Sequence, residues 1–347
     1  MKTLKIDGSM GHGGGQILRS SLALSCILGI PFEMTDIRKG RPQPGLRKQH
    51  LCGVKACAEI CGAKVEGAEL GSDALSFTPK KIKSGSYHFA VGSGGSATLV
   101  LQSVLLPLAV QKLPSQVIVD GGTYCPQAPT GEFFAESLVT RMNRMGYSIE
   151  ANIEKFGFYK AGGGQISVAC NSPKQFRPVN WVRREKQRKC TVQLITSHFP
   201  EKTTLKIRKL ITKEFEKMKC AVPYEMEIIE KSTIEEPGAA VIVRTGSAEY
   251  PLIFSDIAAY GYSSEALANN LGKRLRKFFA AEVPVEAHLA DQLILPLGFA
   301  AGGKFLTSDL TEHLESCCQT FELFTGKKVG LEKDRKELLV EVPKIQG

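Results

Sequence analysis

The densest group of residues suited to chemistry is a glycine-rich motif near the start of the chain, Asp7-Gly-Ser-Met-Gly-His-Gly-Gly-Gly-Gln-Ile-Leu-Arg19. Its five glycines allow a ligand to approach the backbone closely. A helix that follows such a turn directs free N–H groups towards it, and Arg19 lies about one turn inside that helix. The motif therefore predicts an anion-binding turn. It is not a P-loop, because no Gly-Lys-Ser or Gly-Lys-Thr follows, and the alternative is a tight turn without a ligand.

A second candidate phosphate site is the basic loop from Ile37 to His50. Pro42 and Pro44 exclude a continuous helix there, so the segment is rigid and irregular. It presents three arginines, Arg38, Arg41 and Arg47. Planar guanidinium groups make two-pronged contacts with phosphate, which makes phosphate the expected ligand. A solvated basic loop is the alternative.

Gln102 is a polar residue on an otherwise apolar helix that follows a second glycine-rich turn, Gly92-Ser-Gly-Gly95. Its amide can satisfy a backbone group within the protein. It can also reach a ligand shared with the first glycine-rich turn, and the sequence leaves both roles open.

His313 is the candidate nucleophile. We expect its helix to begin near Leu310 and to be capped by a polar residue, Thr307, Ser308 or Asp309. The expected buried stripe of that helix is Leu310, Leu314, Cys317, Phe321 and Phe324. His313 falls at the edge of the stripe, near the positive end of the helix dipole, which keeps an imidazole neutral and favours an anion. A neutral imidazole there could attack phosphorus, whereas packing or solvation is the alternative.

Composition and charge are those of an ordinary globular protein with an excess of basic residues. The 347 residues are 43% hydrophobic and 23% charged, with a net charge of +10, which allows about two domains and suits a polyanionic partner. No apolar run is long enough to span a bilayer, and the first residues do not resemble a signal peptide. Ten cysteines without an export signal indicate reduced thiols in a cytoplasmic protein.

One pattern recurs along the chain and would position these residues: a glycine-rich turn, an apolar helix, a Gly or Pro stop, and a strand. The expected helices are 17–28, 49–60, 97–110, 131–145 and 310–324. A glycine after a helix adopts the left-handed C-cap conformation without strain. The repeated units predict several α/β modules, each with helices covering one face of a sheet.

The stretch 181–283 breaks this pattern and is predicted to be an inserted second domain, with residues 1–180 and 284–347 forming the large domain. Two helices are expected in it, one capped by Thr203 or Thr204 and the other by Ser263 or Ser264. Strands are expected at 239–244 and 251–254. Between Arg183 and Lys219 there are 12 basic and 4 acidic residues. Contact with an RNA backbone is one interpretation, and a solvated helix face is the other.

These motifs, together with Phe158-Tyr-Lys-Ala-Gly-Gly-Gly164 and His288-Leu-Ala-Asp-Gln-Leu293, resemble RNA 3′-terminal phosphate cyclases over nearly the whole chain. The resemblance implies an α/β (α+β) fold. Its large domain would contain three repeated units, each a four-stranded sheet with two helices, and its small inserted domain would be thioredoxin-like. It also implies an ATP-dependent ligase that converts an RNA 3′-terminal phosphate to a 2′,3′-cyclic phosphate. The implied intermediates are a covalent histidine–AMP and an RNA-adenylate.

The resemblance also assigns roles to individual positions. It places the adenylylated nucleophile at His313. It places contacts to ATP and its phosphates at nine further residues, Arg19, Arg38, Arg41, Gln49, His50, Gln102, Pro129, His288 and Asp291. ATP, a divalent metal (Mg²⁺ or Mn²⁺) and an RNA with a 3′-terminal phosphate are the expected cofactors and partner.

His12 departs from the family pattern, which usually has a metal-binding Glu at this position of the glycine-rich motif. A neutral imidazole is a poor ligand for magnesium and a better one for manganese, cobalt or zinc. We therefore expect His12 to alter the metal preference of the first step.

Two other functions compete with the cyclase. One is a catalytically silent relative that binds RNA during ribosome biogenesis; it is favoured by His12 and disfavoured by the retention of Arg19, Arg38, Arg41 and His313. The other is a different transferase on a related repeated fold, such as an enolpyruvyl transferase, which would have no covalent histidine. A covalent adduct with ATP would distinguish the cyclase from both.

Overall fold

The computed structural model describes residues 2–11, 14–185, 189–218, 223–231, 236–258 and 263–345. The strands of these segments form four four-stranded sheets. Three of the sheets share one strand order and one pattern of helices between the strands, and the fourth differs from them.

The first unit carries the glycine-rich motif and the basic loop. Its elements are β1 (Leu4–Asp7), α1 (Gln16–Leu28), β2 (Phe32–Thr35), α2 (Lys48–Cys61), β3 (Lys64–Glu66) and β4 (Leu75–Thr78). The sheet order is β1-β2-β4-β3, with β1 and β2 parallel and the other pairs antiparallel. Gly29 and Gly62 end the two helices with φ of 70° and 61°, the left-handed C-cap that the sequence predicts.

The second unit repeats this arrangement. Its elements are β5 (Ser86–Ala90), α3 (Ala97–Ala109), β6 (Ser115–Gly121), a π-helical segment (Phe133–Val139) that continues into α4 (Thr140–Met145), β7 (Ser148–Lys155) and β8 (Gly164–Asn171). The order β5-β6-β8-β7 and the strand directions match those of the first sheet. Two helical connections and one hairpin therefore build both sheets in the same way.

The third unit begins with β9 (Val179–Trp181) and is then interrupted by the inserted unit. The inserted elements are β10 (Cys190–Ser197), α5 (Glu201–Lys217), β11 (Tyr224–Glu230), β12 (Gly238–Gly246), β13 (Pro251–Ala258) and α6 (Ser264–Ala281). Their sheet has a different order, β11-β10-β12-β13, in which only β10 and β11 are parallel. The assignment of this unit as thioredoxin-like stays a prediction.

The third unit is completed after the insertion. The remaining elements are α7 (Ala287–Phe299), β14 (Gly303–Thr307), α8 (Glu312–Thr325), β15 (Gly330–Asp334) and β16 (Glu337–Val342). The order β9-β14-β16-β15 repeats that of the first two sheets, so the expected fold class with three repeated units is confirmed. The division of the chain at 181 and 283 stays a prediction, and Trp181, the first residue of that range, pairs with Phe305 in the third sheet.

Two predicted helix starts are wrong. Helix α5 begins after Pro200, so Thr203 and Thr204 lie inside its first turn, where the Thr204 hydroxyl donates back to the carbonyl of Pro200 at 3.3 Å. Pro200 is the N-cap, with an extended backbone (φ −58°, ψ 125°), so the helix begins at Glu201, directly after it. The Ser263 cap of α6 is confirmed, since its hydroxyl accepts a hydrogen bond from the backbone N–H of Ala266.

The helix that bears His313 begins later than expected. Thr311 caps it, accepting a hydrogen bond from the N–H of Leu314 at 3.0 Å, because Thr307 is still part of β14. Leu310 therefore lies outside the helix and is 40% exposed rather than buried, whereas the rest of the expected stripe is buried.

Helix α1 lies at the centre of the repeated units, packed against α2, α3 and α8. Helices from all three repeated units therefore meet around it. Among the residues that the structure describes, no helix has the length and apolar character needed to cross a bilayer.

Candidate active site

The glycine-rich motif packs directly against the first turn of α8. Gly11 has a φ of 56°, and a Cβ atom at this position would lie 2.1 Å from Oγ of Ser316. The hydroxyl of Ser316 in turn donates to the carbonyl of Glu312 at 2.7 Å. Because residues three apart share a face of a helix, the glycine-rich motif meets α8 on the side that carries His313.

Several N–H donors converge at the start of α1. Gly15 is the N-cap and provides no side chain to cap the helix. Nε2 of His50 and Nη1 of Arg19 lie 2.5 and 3.0 Å from where a Cβ of Gly15 would be. Only glycine leaves room for both side chains at the positive end of the helix. The result is an arrangement of donors suited to an anion.

His50 is neutral and oriented by the backbone. The N–H of Arg47 donates to its Nδ1 at 3.2 Å, which leaves the ring proton on Nε2, beside Gly15. Burial, reinforced by the nearby cations Arg38, Arg19 and Arg47, lowers the pKa of His50 to about 3. The ring therefore acts as an N–H donor at neutral pH rather than as a base.

The basic loop folds over the glycine-rich motif. Arg38 donates from Nη1 to the carbonyls of Gln43 and Gly45, at 2.7 and 2.9 Å, and so holds the loop in shape. Arg41 lies over Gly14, with Nη2 3.1 Å from where a Cβ would be. Burial, together with repulsion from Arg41 and Arg47, lowers the pKa of Arg38. Positive charges thus crowd together beside Gly14, and an anion there would relieve their repulsion.

A chain of polar side chains connects α1, α3 and α7. Arg19 donates from Nε to Oε1 of Gln102 at 3.0 Å, and Gln102 donates to Oε1 of Gln292 at 2.8 Å. Gln16 also accepts a hydrogen bond from Arg19. These four residues and Asp291 line a cavity of about 50 Å³, which can hold a few water molecules but not a nucleotide. The cavity is therefore too small to be the nucleotide site itself.

Two ionisable groups at this cavity, the partly buried Arg19 and the buried Asp291, have shifted pKa values. Burial lowers the pKa of Arg19 to about 10, so it stays a cation at neutral pH. Burial also raises the pKa of Asp291 to about 7, although electrostatic interactions with His288 and Arg19 act in the opposite direction. The Asp291 carboxyl is therefore poised between its neutral and charged forms near neutral pH.

The remaining predicted contacts lie at the starts of α3 and α7. Oε1 of Gln49 accepts from the N–H of Ser96 at 3.0 Å, and the carbonyl of Pro129 accepts from the hydroxyl of Thr98 at 2.8 Å. Both residues thus fix the first turn of α3, one turn before Gln102. At α7, Nδ1 of His288 lies 2.6 Å from Oε1 of Glu286, the residue that caps this helix. The imidazole is exposed, and Asp291 follows it one turn later.

His313 is the second residue of α8 and is half-buried. Cys317, four residues further on, lines the cavity beneath Arg19. Since residues four apart share a helix face, His313 lies on the side of α8 that faces the glycine-rich motif and the cavity. The Thr311 cap places the ring in the first turn, where free N–H groups and the helix dipole favour an adjacent anion.

Comparison with known proteins decides which family this arrangement belongs to. A model of the family described as RNA 3′-terminal phosphate cyclase matches residues 10–331. An RNA 3′-terminal phosphate cyclase of Salmonella agona (strain SL483) is 37% identical over 343 residues, which cover 99% of this chain and 98% of that protein. The chain belongs to the RNA 3′-terminal phosphate cyclase family.

The similarity extends beyond one bacterial genus. An RNA 3′-terminal phosphate cyclase of Koribacter versatilis (strain Ellin345) is 35% identical over 327 residues, covering 93% of this chain and 90% of that protein. Among solved structures, the enolpyruvyl transferase NikO from Streptomyces tendae matches with a TM-score of 0.37 and 8% identity, over 100% of this chain and 49% of that one. A likeness this weak supports no argument about fold or function.

In this member of the cyclase family, sequence reasoning missed several residues that build the site. Gln16 and Gln292 hold Arg19 and Gln102, and Ser316 meets the glycine-rich motif. Gln16 lies in the glycine-rich motif and Gln292 in the motif 288–293, so sequence reasoning could have predicted that both belong to the site. Ser316 had no such signal, because its role depends on how α8 packs. The roles predicted for His313 and the ATP-binding residues stay predictions.

The described residues supply no ready-made metal site for a cyclase. Within the described ranges, no three His, Cys, Asp or Glu side chains converge in a metal-binding geometry. Mg²⁺ that accompanies a nucleotide is commonly held by phosphates and water with one or two protein ligands. The fit to a divalent metal therefore depends on His12, which lies outside the described residues, and the metal stays a prediction.

Proposed function

We propose that this protein is an ATP-dependent RNA 3′-terminal phosphate cyclase that acts through a covalent adenylate on His313. Family membership supports the overall reaction. The observation that carries the mechanism is the packing of Gly11 against Ser316, which joins an anion-binding turn to the helix face bearing a histidine.

In the first step the neutral imidazole of His313 attacks the α-phosphorus of ATP. A P–N bond forms, the P–O bond to pyrophosphate breaks, and the ring loses its proton to water or to the leaving group. Negative charge builds up on the departing pyrophosphate. Arg19 and the N–H groups at the start of α1 can stabilise that charge without reorganising, because hydrogen bonds already hold Arg19 in place. Arg41, which lies over Gly14, adds a further positive charge.

The two later steps use RNA. An oxygen of the RNA 3′-terminal phosphate attacks the phosphorus of the histidine adenylate, breaking the P–N bond and giving an RNA-adenylate. The neighbouring 2′-hydroxyl then attacks the 3′-phosphorus, loses its proton and expels AMP, which leaves the 2′,3′-cyclic phosphate. All three steps place phosphates at the same donors, so one site can serve the whole sequence.

Asp291 is the group best suited to exchange a proton within this site. A pKa of about 7 allows a carboxyl to accept or release a proton near neutral pH. Asp291 lies on the same face of α7 as His288, one turn away, and its charge interacts with that of Arg19. We propose that it adjusts the charge beneath the nucleotide as phosphates arrive and leave.

Incubation with α-labelled ATP tests this proposal. The unchanged protein should acquire label, and His313→Asn should acquire none, because an amide cannot form the P–N bond. His198→Asn is the matched control: His198 is exposed in the inserted unit, and its φ of 43° suits asparagine, so labelling should persist. Normal labelling of His313→Asn would contradict the proposed nucleophile. Absence of label on the unchanged protein with every divalent metal would favour the catalytically silent alternative.

A further inference from the structure

A second, larger cavity lies where the chain crosses between the third sheet and the inserted unit. We call it the crossover pocket. It has a volume of about 530 Å³, and its lining includes Arg141, Trp181, Arg183, Ser247, Tyr250 and Pro284. Arg183 follows β9 at the start of the insertion, and Pro284 follows α6 at its end. None of these residues belongs to the site around His313.

Arg141 is the most deeply buried cation of the crossover pocket, and the protein provides only part of the hydrogen bonding that its guanidinium group can make. Its side chain is 2% exposed, and its guanidinium carbon lies 4.8 Å from the ring centre of Trp181 and 4.6 Å from that of Tyr250. Nη2 donates to the carbonyl of Pro284 at 2.9 Å. Among the described residues, Nε has no hydrogen-bond partner. A buried cation held mainly by aromatic rings lacks the compensation that a nearby anion would provide.

The wall around Arg141 is positively charged and carries further polar groups. Arg183 and Arg184 line it with a single carboxylate, Glu185. Arg184 packs on the ring of Phe278 at 4.3 Å, whereas Arg183 is exposed at the rim. Burial lowers the pKa of Arg141 to about 10, which reflects the cost of keeping its charge there. An anion entering the pocket would meet both Arg141 and Arg183.

We propose that the crossover pocket binds one nucleotide of the RNA strand, with a phosphate facing Arg141 and Arg183. This inference rests on the proposed function, which makes RNA the substrate. A volume of about 530 Å³ falls within the range of small-molecule sites and exceeds the needs of a phosphate alone. The hydroxyl of Ser247 and the amide of Asn180 line the same space and can bond to ribose or base.

An RNA strand fits the pocket's surroundings better than a free nucleotide. The stretch that begins at the rim has 9 basic and 4 acidic residues within its described parts, 183–185 and 189–218, so neighbouring phosphates would also meet positive charge. A free nucleotide would use the pocket alone and gain nothing from this surface. The inserted unit would thus hold RNA upstream of the end that reacts.

The fluorescence of Trp181 can report RNA binding to the crossover pocket, because Trp181 is the only tryptophan in the chain. A single-stranded oligoribonucleotide with a 3′-phosphate is titrated into the protein while tryptophan fluorescence is followed. The titration is repeated with Arg183→Glu and with Arg208→Glu. Arg208 is exposed on α5 and is not one of the residues that line the pocket, so the second variant makes the same change in charge outside the pocket lining.

The proposal predicts that RNA changes the Trp181 fluorescence. Arg183→Glu should weaken the RNA affinity by about tenfold or more, because a charge-assisted contact is lost. Arg208→Glu should weaken it by less than about threefold, as expected for an exposed charge. Equal weakening by the two variants, or an unchanged Trp181 signal, would contradict RNA binding in the crossover pocket. Either result would indicate that RNA binds to a diffuse electrostatic surface instead. An equal response to AMP or to inorganic phosphate would overturn the assignment to an RNA strand.

Labelling by ATP separates this proposal from the proposed function. The adduct requires no RNA, so Arg183→Glu and the unchanged protein should both form it. If neither is labelled while RNA still changes the Trp181 fluorescence, the result contradicts the cyclase mechanism but supports RNA binding in the crossover pocket. If both are labelled while the fluorescence does not respond, the pocket fails and the mechanism stands.

Discussion

Two arginines, Arg19 and Arg141, both have a pKa lowered to about 10 by burial, yet their surroundings are opposite. Arg19 donates to the amide oxygens of Gln16 and Gln102, and its charge faces that of Asp291. Arg141 lies between aromatic rings, and one of its buried N–H groups has no partner within the described residues. A similar shift in pKa therefore accompanies two different degrees of compensation.

The difference indicates the function that each site is organised to perform. The amides around Arg19 fix its orientation and leave Nη1 beside Gly15. This arrangement suits a reaction in which the protein must hold a positive charge in place beforehand. The rings around Arg141 provide dispersion and cation–π attraction, and within the described ranges no carboxylate forms an ion pair with it, although the charge of Glu185 in the same pocket acts on it. Such surroundings suit a site that is completed by its ligand. We therefore expect Arg19 to matter for both folding and chemistry, and Arg141 to matter mainly for RNA binding.

The largest effect should come from Arg19→Met, which keeps the length of the side chain and removes its charge. Gln16 and Gln102 would lose their donor, at a cost of about 1–3 kcal/mol for each buried polar group left unsatisfied. Urea unfolding should show this loss, and labelling by ATP should slow by about tenfold or more. Arg19→Lys should recover only part of both, because an ammonium group lacks the planar fork. Normal labelling of Arg19→Met would show that the chemistry does not need Arg19, and it would contradict the difference proposed between Arg19 and Arg141.

A pH-dependent effect of intermediate size should come from Asp291→Asn. The pKa of Asp291 is raised from 3.8 to about 7, so the folded state binds the extra proton between these values. The stabilisation is complete below pH 3.8 and is lost as the pH rises towards and through about 7. Asparagine cannot titrate, so the difference in unfolding free energy between the two proteins should change across this window. A constant difference from pH 4 to 8 would mean that Asp291 titrates normally.

The repeated units could be predicted from the sequence because their signals are local. Apolar helices that end at Gly29, Gly62, Gly146 and Gly326 all appear where the sequence placed them, each with a left-handed residue after the helix. The start of α8 could not be predicted as well. Several polar residues precede it, and only the end of β14 at Thr307 decides that Thr311 is the cap.

The site could be predicted in its residue types but not in all its contacts. The sequence identified Arg38 as a phosphate ligand, whereas in the structure one of its nitrogens holds the carbonyls of Gln43 and Gly45. That contact depends on the path of the loop, which two prolines restrict without determining. The crossover pocket had only a partial sequence signal, the basic stretch that begins at Arg183. The pocket itself joins Arg141, Trp181 and Tyr250 from separate units, which no local pattern predicts.

The smallest effect on stability should come from Arg141→Met. Replacing a poorly compensated buried charge by an apolar group of similar size is often close to neutral. We expect the free energy of unfolding to change by less than about 1 kcal/mol, while RNA affinity falls as it does for Arg183→Glu. Urea unfolding and the Trp181 titration measure the two quantities. A loss of stability as large as that of Arg19→Met would remove the distinction between the two arginines.

The most direct test of the central claim is to locate AMP on the unchanged protein by mass spectrometry after incubation with ATP. The adduct should lie on the peptide that contains His313, and it should be lost in acid and survive alkali, as a phosphoramidate does. Its position would then match the helix start that Gly11 meets. AMP found on a lysine, or on a histidine other than His313, would contradict the account.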